Sequence, residues 1–156
     1  MQNQISQDVF GTNASPTTLT DSLVAGNAML AKDFSRLSLD VKYTPNTNSA
    51  YAQILVEYSN DDLNHSGPTN WYQFVAVLPA TTQVDVYAST GDQLGAGSGT
   101  PFNVPTSATS VAAEVITVHL SPDTELNAKW VRVRAKEVGG SSAGTLHVRL
   151  SLAAGC

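Results

Sequence analysis

Two stretches near the end of this chain change character at every step. Lys129-Trp130-Val131-Arg132-Val133-Arg134-Ala135-Lys136 alternates apolar and basic residues, and Gly144-Thr145-Leu146-His147-Val148-Arg149-Leu150-Ser151-Leu152 alternates in the same way. A period of two is the mark of a β-strand with one face buried and one face wet. The turn-rich link from Glu137 to Gly144 separates the two runs, so they read as a hairpin.

The strand signal recurs upstream. Arg36 to Tyr43 places Leu37, Leu39, Val41 and Tyr43 on one face and Arg36, Ser38, Asp40 and Lys42 on the other. Tyr51 to Tyr58 follows the turn cluster Thr44-Pro45-Asn46-Thr47-Asn48, with Ala52, Ile54, Val56 and Tyr58 inward. Trp71 to Leu78 is a strand ended by Pro79, and Thr82 to Ser89 is another. Ser59 to Asn70 reads as a polar loop and Thr90 to Pro105 as a long Gly-rich one. Val111 to Leu120 is a further strand. The links are too short to hold crossover helices, so the strands are antiparallel. The expectation is one all-β domain: an antiparallel β-sandwich of seven or eight strands, of jelly-roll type, though other Greek-key sandwiches share the pattern. Inward residues are predicted to include Leu37, Leu39, Val41, Ile54, Val56, Phe74, Ile116, Val118, Val131, Val133, Leu146, Val148 and Leu150.

Residues 1–33 lack this regularity. Gln2 to Thr20 is polar and rich in Thr, Ser and Asn, which reads as an extended N-terminal arm before a sandwich over residues 34–156. Within it, Leu23 to Gly26 and Ala28 to Ala31 read as a short strand pair turning at Gly26-Asn27. A single helical turn is the alternative.

Composition narrows the function classes. Charged residues make up only 13% of the 156, and Ser, Thr, Asn and Gln fill the gap, a neutral polar surface. The net charge of −5 argues against a nucleic-acid-binding chain. Even so, Lys129, Arg132, Arg134, Lys136 and Arg149 gather five of the eight basic residues in the last two strands. Parity puts Trp130, Arg132, Arg134 and Lys136 on one face, with His147 and Arg149 outward on the partner strand. That many cations need acids to answer them, from Glu114, Glu125 or a partner. The stripe reads as a solvated basic face with local ion pairs, and the alternative is a docking face for an acidic protein surface. No interleaved aromatics or flexible basic arm accompanies it, which argues against nucleic acid. The single cysteine, Cys156, permits no internal disulfide. No signal peptide and no membrane-length apolar run is evident, so the expected site of synthesis is a cytoplasm.

No catalytic constellation is legible, and no cofactor or metal is expected. His65, His119 and His147 lack the close spacing of zinc ligands and read as surface histidines. Ser59-Asn60-Asp61-Asp62 has no ladder of calcium-binding acids behind it and reads as a turn. Gly95 to Thr100 has no following Lys, so it is not a phosphate loop. Trp71, Tyr72, Tyr58 and Tyr51 are candidates for a sugar-stacking platform, but alternation puts Trp71 and Tyr72 on opposite faces.

Five stretches in order carry a resemblance: Leu39 to Pro45, Ala52 to Asp61, Asn70 to Tyr72, Lys129 to Glu137 and Gly144 to Leu150. Together they resemble small β-sandwich virion proteins of tailed bacteriophages, the capsid decoration or cement proteins among them. The resemblance spans roughly residues 35 to 152. It implies a non-enzymatic structural protein of the virion that binds the major capsid protein or another virion protein. It also implies self-association, with a trimer matching a shell's three-fold symmetry. On that reading the arm would reach a neighbouring subunit. Its anchors would be Leu19, Leu23, Val24, Met29 and Leu30, and Arg132 and Arg134 would add salt-sensitive contacts. The alternative class is a carbohydrate-binding sandwich module, as in a phage fibre.

Overall fold

A computed structural model of the chain describes residues 3–61, 68–73, 87–88, 102–104, 110–120, 125–140 and 143–155. The described strands, in chain order, are β1 (Gln4–Phe10), β2 (Thr17–Thr18), β3 (Val24–Ala25), β4 (Met29–Leu30), β5 (Arg36–Thr44), β6 (Tyr51–Ser59), β7 (Tyr72–Gln73), β8 (Tyr87–Ala88), β9 (Phe102–Val104), β10 (Ile116–Leu120), β11 (Trp130–Val138) and β12 (Thr145–Ala153). They form two antiparallel sheets. The first runs β1-β12-β5-β10, with β2 also on β12. The second runs β3-β11-β6-β9-β8, with β4 on β11 and β7 on β6.

This order is a jelly roll. Along the chain, β1 lies in the first sheet, β3 and β4 in the second, β5 in the first, and β6 to β9 in the second. Then β10 returns to the first, β11 to the second and β12 to the first. The long strands form where the sequence alternates. In β11 every second residue from Val131 to Glu137 is buried, and β5 buries Leu37, Leu39, Val41 and Tyr43. The core lies between the sheets, with Leu146, Val148, Leu150 and Leu152 of β12 on one side and Ala52, Ile54, Val56, Val131, Val133 and Ala135 on the other. Of the predicted inward residues, Ile116 and Val118 are partly buried on the edge strand β10, Phe74 lies outside the described residues, and the rest are in the core.

The predicted hairpin of the two alternating runs does not form. β11 pairs with β6, whereas β12 pairs with β5 and β1. The link between them crosses from sheet to sheet instead of turning back. Alternation reports which face is buried, not which strand lies alongside, and both runs bury the same parity against a shared core. Glu137 holds this crossing: its carboxylate is 3% exposed and accepts the Gly144 N–H. A Cβ at Gly144 would lie 2.2 Å from that carboxylate, so a larger residue there would have to displace the Glu137 side chain. Nearby, burial pushes the Tyr43 phenol up in pKa and the Glu137 charge adds to the effect.

Residues 3–33 are not a free arm. β1 pairs along β12 from Ala153 to Val148, with a bulge between Asp8 and Phe10. β2 continues along the same edge at Leu146 and Thr145. The chain then follows the crossing backwards: Leu19 N–H donates to the Gly144 carbonyl, and the Thr20 carbonyl accepts from Glu137 N–H. β3 and β4, which the sequence reading paired with each other, both pair with β11, at Ala135–Arg134 and Val131–Trp130. Between them Gly26 N–H donates to Val133 of the second sheet, and Asn27 N–H donates to the bulged Val9 carbonyl of the first. Residues 17–31 thus form a strap that ties both sheets together along one side. Further on, Phe102–Val104, inside the stretch expected to be loop, is a strand paired with β6.

Candidate functional site

The outer face of the second sheet carries the basic stripe. Register sets Arg132 beside Glu57 and Arg134 beside Leu55. Glu57 is 5% exposed, and both its oxygens are taken: Arg132 Nε donates to Oε2 at 2.6 Å and Arg134 Nη1 to Oε1 at 3.3 Å. Arg134 Nη2 also reaches the Leu23 carbonyl at 3.5 Å. The Arg132 guanidinium carbon sits 4.1 Å from the Trp71 ring centroid, a cation–π contact. Trp130 and Lys136 lie half-buried on the same face. Leu30, 45% exposed, pairs with Trp130 at the sheet's edge.

The acid that answers the stripe is therefore Glu57, and not Glu114 or Glu125, which are exposed and outside the ion pairs of the described residues. Its position was visible as an acid sharing parity with Gln53 and Leu55. That β6 is the neighbour of β11 was not visible. His147 and Arg149 do not join the stripe, because β12 belongs to the other sheet.

The outer face of the first sheet is a charge ladder. Across four strands, Asp8, Arg149, Asp40 and His119 stand in register, carboxylates alternating with an arginine and an imidazole. His119 Nδ1 is 2.6 Å from Asp40, His147 Nε2 is 2.9 Å from Asp8, and Arg149 Nε is 3.3 Å from Asp8. The hydrogen bond from His147 holds the Asp8 carboxyl below its ordinary 3.8, and the charges of His147 and Arg149 add to this against a partial desolvation. Lys42 donates to Asn13 Oδ1 at 2.9 Å. Asn13, Asp40, Lys42, Thr117, His119 and His147 line a shallow open groove on this face. Among the described residues, neither imidazole is hydrogen-bonded to a hydroxyl, and no three His, Cys, Asp or Glu side chains converge as metal ligands. Asp61, in the stretch weighed for calcium, binds the backbone N–H groups of Asn70 and Thr69, which bring its pKa down to about 2.

The five apolar residues proposed as arm anchors divide. Leu19 and Met29 are 0% and 4% exposed, buried in this chain's own core. They cannot reach a neighbour without unpacking the sandwich. Leu23 is half-buried, and Val24 and Leu30 stay exposed along the strap. Leu30, Arg132 and Arg134 come together on the second sheet's outer face. Tyr72 is 58% exposed on the opposite side from Trp71, tilted against Tyr58 at 5.7 Å between ring centroids.

Fold and faces together define a jelly-roll sandwich with one face of mixed charge and one basic, Trp-flanked face. No protein-family model and no curated protein matches the chain. Among solved structures it is similar to the crystal structure of the SPBc2 prophage-derived protein YomS, over 95% of each chain, at 12% identity and a TM-score of 0.28. An overlap of that size adds nothing to the assignment, which stands on the strand order. Among the described residues, no helix is long and apolar enough to cross a membrane.

Proposed function

We propose that this chain is a non-enzymatic structural protein of a virion, of the capsid decoration type, that binds the major capsid protein. The five stretches carrying the sequence resemblance fall on β5, β6, β7, β11 and β12, the strands that build both sheets around the core. The observation that carries the reading is the second sheet's outer face. A rigid sheet there presents Trp71, Trp130, Arg132, Arg134 and Leu30 together. Trp and Arg are the residue types that dominate binding energy at protein interfaces. With Leu19 and Met29 committed to the core, attachment moves from an extended arm to this face.

The rival reading, a carbohydrate-binding module, needs a free aromatic platform. One side of the Trp71 ring is covered by Arg132, and a sugar on that side would have to displace the guanidinium. A glycan-array signal abolished by Trp71→Ala would favour the rival.

The test is co-sedimentation with assembled particles. The chain should pellet with particles carrying its own capsid protein, and Arg132→Glu with Arg134→Glu should release it. A chain that stays in the supernatant at saturating capsid concentration refutes the reading. Decoration around a shell's three-fold positions would make the bound form a trimer. Analytical ultracentrifugation of the free chain tells whether that trimer forms before attachment.

A further inference from the structure

We propose that the outer face of the second sheet is a receptor for an extended acidic segment of a partner protein, one with a carboxylate at every second position. This deepens the docking reading above and rests on it only for the identity of the partner.

The first ground is charge. Three cations, Arg132, Arg134 and Lys136, share this face, and among the described residues only Glu57 answers them. Among the described residues, one carboxylate against three cations leaves two positive charges unanswered, on a chain whose net charge is −5. The second ground is donor geometry. Glu57 takes only Nε of Arg132, whose two Nη groups have no partner among the described residues. Glu57 is bonded to both guanidinium groups and holds them, and the Trp71 ring packs against one. Fixed guanidinium groups with free donors suit carboxylate groups in a bidentate fit. The third ground is spacing. Positions 132, 134 and 136 repeat every two residues of a strand, roughly 6.5–7 Å, which is also the same-face repeat of a facing extended segment. Leu30 and Trp130 at one end offer apolar cover for a flanking side chain.

Protein is favoured over nucleic acid as the occupant. The Trp71 ring is engaged by Arg132, which takes one face from base stacking. The cationic patch is also confined to one strand of an acidic chain.

The probe is a short synthetic peptide with glutamate alternating with threonine. Its affinity for the full chain is read from Trp fluorescence and from backbone amide shifts. Binding should weaken as salt is raised, because the contacts are exposed at one side. Arg132→Ala should weaken it by about tenfold or more, the loss expected when a charged hydrogen-bonding partner is removed. Lys136→Ala, which touches no buried ion pair, should weaken it without affecting folding and covers the case in which the arginine variant unfolds. Lys42→Ala, on the opposite face, should leave affinity unchanged. An isomeric peptide with contiguous glutamates should bind more weakly. Unchanged affinity in Lys136→Ala, equal loss in Lys42→Ala, or tighter binding of oligothymidylate than of the peptide would overturn the proposal. Peptide binding without particle binding keeps this receptor and removes the virion reading. Particle binding that ignores Lys136→Ala and Arg132→Ala does the reverse.

Discussion

Leu19 and Leu30 belong to the same strap and are the same residue type, so they make a matched pair of probes. Leu19 is 0% exposed and Leu30 is 45% exposed. Leu19→Ala removes a buried side chain and leaves a cavity between the sheets at the crossing, where its own N–H is already bound to Gly144. Substitutions of this kind cost about 2–5 kcal/mol. Taking ~3 kcal/mol, and about 2–4 °C per kcal/mol for a domain of this size, Tm should fall by roughly 6–12 °C. Leu30→Ala should stay within about 0.5 kcal/mol, as surface changes do. Urea unfolding followed by far-UV circular dichroism reads both, with the slope unchanged if both variants unfold from the same compact state. Equal stability of the two variants would mean that the strap is not packed in solution, and the closed sandwich would then be wrong.

Gly26→Ala should be strongly destabilising, because a Cβ there would lie 2.1 Å from the Val9 carbonyl oxygen, a backbone atom that cannot swing away. Differential scanning calorimetry should show a loss at or beyond the ~1–3 kcal/mol typical of overpacking. Deleting residues 2–30 should yield no folded sandwich: Val9, Phe10, Leu19 and Met29 are all buried, and at roughly 1.5–3 kcal/mol each their loss rivals the whole stability of a domain. The Asp8 carboxyl is held below its unfolded value, so its contribution is present above about pH 4 and is lost as pH falls through its folded pKa. Asp8→Asn should therefore flatten the acid limb of stability against pH. The backbone amides of Thr69 and Asn70 should titrate in NMR spectra with a midpoint of about 2, following Asp61, and Asp61→Asn should abolish that titration.

The parts of this fold that were legible are those written in local period. Arg36 to Thr44, Tyr51 to Ser59, Trp130 to Val138 and Thr145 to Ala153 read as strands because burial of one face imposes alternation. Pairing was not legible, since alternation is the same whichever strand lies alongside. That is why the last two strands looked like a hairpin and why Glu57 was missed as the partner of Arg132 and Arg134. The strap failed for a different reason. Its strands are only two residues long, and its tertiary hydrogen bonds run from single N–H groups of Leu19, Gly26 and Asn27 to both sheets. Such a path has no period to detect. Leu19 and Met29 were recognised as buried anchors, but sequence carries no mark of which molecule they are buried in.

The two outer faces differ in a way that favours the second sheet as the docking face under the proposal above. On the first sheet, Asp8, Arg149 and Asp40 alternate in sign across three neighbouring strands, and Asp8 and Asp40 are each bonded within the chain, to Arg149 and His147 and to His119. A partner there would have to break pairs before it made any. On the second sheet, one buried carboxylate holds two guanidinium groups, and Lys136 stands beside them without an ion pair among the described residues. Removing Glu57 would loosen these arginines, and a partner's carboxylate would complete them. Rigidity makes the difference usable. The strap closes the sandwich behind β11, so the stripe sits on a strand paired along both edges, with β6 on one side and β3 and β4 on the other. Docking on a surface already ordered costs less conformational entropy than ordering an arm, and more of each contact is kept as affinity. On the docking proposal, the N-terminal residues would serve attachment indirectly: folded back on their own domain, they pair with the strand that carries the stripe.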